Sequence, residues 1–152
     1  MSKKATAADA QLILELYDLR REAEMRKARN WWLVEFWPQG ADDFMKIIGT
    51  PGSQENNWMR QVGGYWSMAA ALVLHGALNE ELFLQPAVSG EMFLLFAKTQ
   101  PFLKEVRANL GDAHLFENIE KVIMNSKSGR ERLKFTLKRI EIQRAKRAAK
   151  AS

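Results

Sequence analysis

Trp58-Met59-Arg60-Gln61-Val62-Gly63-Gly64-Tyr65-Trp66-Ser67-Met68-Ala69-Ala70-Ala71-Leu72-Val73-Leu74-His75-Gly76 is the stretch whose reading decides the fold class. Trp58, Val62, Tyr65, Trp66, Ala69, Leu72 and Val73 recur at the three- and four-residue spacing of a helix face. Residues 68–74 are apolar on nearly every side, as a central buried helix requires. Ser53 offers it a cap and Gly76 a stop. Each glycine of the Gly63-Gly64 pair costs about 1 kcal/mol against alanine, so a close helix crossing or a kink is expected there.

The same period extends outward in both directions. Thr6 and Asp9 have the spacing of a capping box. Leu12, Leu16, Leu19 and Ala23 continue as a stripe widened by Ile13 and Tyr17, and Ala28, Trp31, Trp32 and Phe36 carry it on to Pro38. A helix of about 30 residues, about 45 Å long, is expected, with any break at residues 28–30. A short helix follows at Ala41–Ile48. Asn79 caps another, with Glu80 and Glu81 in its first turn, and Pro86 is read as its end. Ser89 is read as the start of a helix, Thr99 with Pro101 as the start of the next, and Asp112 as the start of a third after Gly111. Residues 125–129 read as a linker, and Ser128 with Glu131 as a second capping box. No stretch alternates like a strand. The expectation is all-α: an irregular bundle of six to eight helices in one domain spanning residues 1–152. Its core covers about 6–126, and a basic C-terminal helix at about 128–150 projects from it.

The 152 residues contain no cysteine, which excludes disulfides, thiolate metal sites and cysteine nucleophiles. Met1-Ser2-Lys3-Lys4 could open a signal peptide, but Asp9, Glu15 and Asp18 interrupt its apolar stretch. No run approaches the roughly 20 apolar residues of a membrane span. A cytoplasmic protein is expected. Its net charge of +5 is unevenly distributed. Residues 37–126 hold six bases against ten acids, whereas residues 127–152 hold ten bases against Glu131 and Glu141. The body is acidic and the last helix basic.

That helix is the first functional candidate. Arg130, Lys134 and Lys138 share a face with Glu141, while Arg139, Lys146 and Lys150 lie beside Ile142. Leu133, Leu137 and Ile140 form a narrow apolar stripe that ends before Arg144, and from there to Lys150, Arg147 included, only alanines separate the charges. These cations are candidate contacts to a partner or to phosphates. A solvated helix end complementing its own dipole competes with that reading. The second candidate is an aromatic interface at Trp31, Trp32 and Trp37: three tryptophans within seven residues of a single helix cannot all face one core. Packing into a large core is the competing and favoured reading. Glu35 sits among these rings, with Arg29 or Arg60 as possible partners.

Chemistry-bearing motifs are missing. Neither His75 nor His114 belongs to an H-E-x-x-H or Glu-x-x-His pattern, so no metal site is expected. No nucleophile elbow, Walker loop or dinucleotide fingerprint occurs, and no catalytic residue or cofactor is assigned.

The run from Gly64 to Phe83, with its Leu-Asn-Glu-Glu-Leu-Phe turn after Gly76, resembles a bacterial family of small helical proteins of unknown function. Pro101-Phe102-Leu103-Lys104-Glu105-Val106-Arg107, Leu16-Tyr17-Asp18-Leu19-Arg20-Arg21 and Met25-Arg26-Lys27-Ala28-Arg29 are similar to it in kind. The resemblance covers about half the chain and implies an all-helical fold without a known activity; the basic helix lies outside it. The leading expectation is therefore a non-enzymatic interaction or assembly subunit that meets a protein partner or a second copy. A nucleic-acid-associated protein using the same helix is the alternative, and an enzyme or small-ligand binder with an inter-helix pocket stands behind both.

Overall fold

Thr6 begins the first helix, α1 (Ala7–Leu19), through a complete capping box: Asp9 N–H donates to its hydroxyl and its own N–H donates to the Asp9 carboxylate, at 3.2 and 2.8 Å. The structure is a computed structural model that describes residues 3–152; Met1 and Ser2, the head of the stretch weighed as a leader, lie outside the described residues. The expected 30-residue helix is broken, at residues 20–22 rather than 28–30. Glu22 accepts from Met25 N–H at 2.9 Å and starts α2 (Ala23–Asn30). Arg20 is drawn inward over the Trp66 ring, 5.1 Å from its centroid.

A π-helical turn, Trp31–Glu35, continues α2, closed by Phe36 N–H on the Trp31 carbonyl at 2.8 Å. Phe36 is then extended. Trp31 and Trp32 are both buried at the head of this turn. Next come α3 (Ala41–Ile48) and α4 (Gln54–Leu74), the latter capped by Ser53. α4 is the central helix: Met59, Val62, Trp66, Ala69, Ala70 and Val73 are buried. Gly63 is the close approach, since a Cβ there would lie 2.8 Å from the Phe116 ring.

After α5 (Glu80–Phe83), Pro86 starts a helix instead of ending one. Proline suits a first helical position, where no N–H partner is needed. The two helices expected from Ser89 and Thr99 are one, α6 (Pro86–Leu110), with Pro101 inside it. An interior proline costs about 3 kcal/mol. Pro101 is exposed, and the helix before it buries Met92, Phe93, Leu95, Phe96 and Ala97, which outweighs that cost. Gly111, at φ 65°, ends α6 in the left-handed conformation.

Asp112 does not start a helix. Its carboxylate accepts from His114 N–H within a turn, and α7 (Glu117–Asn125) begins after Phe116. Nor is there a linker at 125–129. Ser126 alone separates α7 from α8 (Lys127–Ala151), and it caps α8 by accepting from Gly129 N–H at 2.9 Å. The box from Ser128 and Glu131 does not form. The corner is this tight because position 129 carries no side chain: a Cβ there would lie 2.1 Å from the Ile123 carbonyl oxygen. In all, eight α-helices and one π-helical turn occur among the described residues, with no strand.

Candidate interaction surface

α8 docks by the apolar stripe read from its sequence: Leu133 and Ile140 are buried and Leu137 packs against the same core. Arg132 is held inward as well, donating to the Leu84 carbonyl and lying 4.0 Å from the Phe93 ring centroid. Past Ile140 the helix outruns the interior, but two of its cations turn back. Arg144 lies 5.3 Å from the centre of the Phe102 ring, and burial lowers its pKa. Arg147 donates to the Val34 carbonyl at 2.7 Å and lies 4.7 Å from the centre of the Trp37 ring. Both meet aromatic faces; Arg147 adds the Val34 carbonyl, and Glu141 on the same helix partly offsets the effect of burial on Arg144.

Beneath this corner lies a residue the sequence reading passed over. Lys98 is 1% exposed, and its ammonium donates to the carbonyls of Trp32, Leu33 and Phe36 at 2.5, 3.1 and 3.0 Å. These are carbonyls at the end of the π-helical turn, where the backbone has no further N–H to offer. The ammonium is also 4.0 Å from the Trp37 ring centre. Burial, reinforced by Arg147 and Arg144, pushes its pKa from the ordinary 10.5 down to about 7. A lone cation directly after the apolar run Met92 to Ala97 was the signal available in the sequence.

The tryptophan candidates divide. Trp31 and Trp32 are 6% and 1% exposed and belong to the core. They meet edge-to-face at 5.6 Å, and Trp31 stacks on Phe36 at 4.6 Å. Their interface role is corrected: the chain itself covers them. Trp37 remains half-buried, its ring N–H donating to Val34. Glu35 is exposed and accepts from the Asn30 amide, pairing with neither Arg29 nor Arg60. Arg29 instead pairs with buried Glu91 at 2.7 Å, whose other oxygen accepts from the Trp66 ring N–H at 3.0 Å. His114 lies 2.8 Å from Glu117 on the surface, and no group of metal-binding side chains occurs among the described residues.

The remaining candidates, Arg130, Lys134, Lys138, Arg139, Lys146 and Lys150, are all exposed. So are two large apolar side chains of the same helix, Phe135 (64%) and Ile142 (55%). Seven residues apart, they lie on one side of α8, opposite the Leu133–Leu137–Ile140 stripe. Lys138, Arg139 and Lys146 flank them at three- and four-residue spacings, with the Arg139 guanidinium 5.8 Å from the Phe135 ring centre. The outer face of α8 thus carries an apolar pair inside a cationic rim. No described helix is long and apolar enough to cross a membrane.

A family model described as a domain of unknown function, DUF4760, matches residues 5–126. No curated protein and no solved structure matches the chain.

Proposed function

The chain belongs to the DUF4760 family, whose matched region ends at the Ser126 corner, and from that premise we propose that α8 is this chain's own interaction element, presenting its outer face to an acidic partner protein. The observation that carries the reading is the exposed Phe135–Ile142 pair set among Lys138, Arg139 and Lys146. Protein interfaces have this anatomy: an aromatic or aliphatic centre that sheds water, and a polar rim that selects by charge. Two cations of the helix end, Arg144 and Arg147, already lie against the chain's own aromatic corner, which leaves fewer of them to track phosphates. The cationic rim calls for carboxylates opposite.

Affinity purification from the cells of origin, with and without nuclease, tests this. The native chain should retain a partner after nuclease treatment. The Phe135→Ser/Ile142→Ser variant should lose it, and so should Lys138→Glu/Arg139→Glu/Lys146→Glu, while both keep the native thermal transition because the altered side chains are exposed. Loss of the partner on nuclease treatment, or its retention by both variants, would overturn the assignment.

A further inference from the structure

Between α3, α4 and the turn before α7 lies a cleft of about 720 Å³. That volume falls in the range of small-molecule sites. Phe44, Met59, Leu115 and Phe116 give it carbon walls. Two conformational costs meet on it. Gly63 is accounted for by the Phe116 ring, but Gly64 is not: a Cβ there would meet nothing within 4 Å, so the helix gives up stability to leave this wall bare. Across the cleft, Phe116 holds φ 57°, a left-handed conformation unfavourable for a bulky residue. Strain of this kind gathers at ligand sites.

The polar groups on the cleft are Asn56, Arg60, Ser67, Asp112 and His114. Asn56 donates to the Ile47 and Ile48 carbonyls, Asp112 accepts from His114 N–H at 2.9 Å, and the His114 ring lies 2.8 Å from Glu117. The Arg60 guanidinium has no ion pair or hydrogen bond among the described residues. We propose that this cleft binds a small amphipathic carboxylic acid, its apolar body between Phe44, Met59 and Phe116 and its carboxylate on Arg60. α8 does not line the cleft, so this site stands apart from the interaction face.

Titration of the native protein with octanoate and with octan-1-ol, followed by calorimetry and by the amide NMR shifts of Gly63 and Gly64, tests the site. Octanoate should saturate one site, about tenfold tighter than the alcohol, as a charge-assisted contact requires. Arg60→Gln should bring octanoate down to the alcohol's affinity. Gly64→Leu should crowd the cleft and weaken octanoate by about tenfold or more; a Cβ there meets nothing within 4 Å, and leucine is the better helix former. If Gly64→Leu loses its cooperative thermal transition, Ser67→Leu on the same helix carries the same expectation. No saturable octanoate binding, equal affinity for acid and alcohol, or undiminished binding by the Gly64→Leu variant would each overturn the proposal.

Discussion

Replacing Lys98 by methionine should remove a pH dependence from the stability of the whole chain. Methionine keeps the length and most of the volume of the lysine stem but has no donor. Two effects oppose each other. The substitution relieves a buried charge, and it orphans the carbonyls of Trp32, Leu33 and Phe36. An unsatisfied buried polar group costs about 1–3 kcal/mol. At pH 9, where the native amine is neutral and can still donate, the loss should therefore be about 2–5 kcal/mol. The charge term changes with pH. Between about 7 and the ordinary 10.5, the unfolded chain holds a proton that native Lys98 has released, so native stability rises with pH in that window. Each pH unit there contributes up to about 1.4 kcal/mol, which gives about 2 kcal/mol from pH 7 to 9. Lys98→Met has no such group. Urea unfolding of both proteins at pH 6, 7, 8 and 9 should show two curves that diverge above pH 7, with the native chain gaining. Parallel curves would refute the reasoning, because they would mean that burial does not disfavour the ammonium. A variant more stable than the native chain at pH 9 would refute the role assigned to the three carbonyls.

Other substitutions test the packing. Gly129→Ala would set a Cβ 2.1 Å from the Ile123 carbonyl oxygen, so the α7–α8 corner must open; a loss of about 2–4 kcal/mol is expected by urea unfolding. Gly63→Ala meets only a ring edge of Phe116, at 2.8 Å, and should lose about 1 kcal/mol, the strain being partly offset by alanine's helix propensity. Arg147→Ala removes the tie to Val34 and the Trp37 ring. Hydrogen exchange should then quicken in the last turns of α8, while the global unfolding free energy changes by less than about 1 kcal/mol.

What could be read ahead of the structure, and what could not, divides along the distance over which each feature is decided. The Trp58-to-Val73 period, the Thr6–Asp9 box, the Asn79 cap and the Gly76 stop are settled within a few residues, and all are present. Glu22 was passed over because glutamate is not among the favoured cap residues. Pro101 was read as a boundary because local chemistry says so; burial along α6 decided otherwise. Ser126 and Ser128 offer competing caps two residues apart, and the choice rests on a backbone approach from Ile123 that neither serine reveals. Among the candidate contacts, the outward cations of α8 were legible from their spacing. Phe135 and Ile142 gain meaning only once the opposite stripe is seen to be docked. Lys98 finds its acceptors more than sixty residues earlier in the chain, and the bare wall at Gly64 becomes a cleft only when Phe116 faces it.

Ser126 alone separates α7 from α8, and Leu133, Leu137 and Ile140 dock the last helix on the body. Phe135 and Ile142 stand about 10 Å apart along its axis at the helical rise of 1.5 Å per residue. A partner that seats both must offer two hollows at that interval, on a surface as stiff as the helix. Such an encounter measures fit instead of inducing it, and little ordering remains to be done on this side when the two surfaces meet.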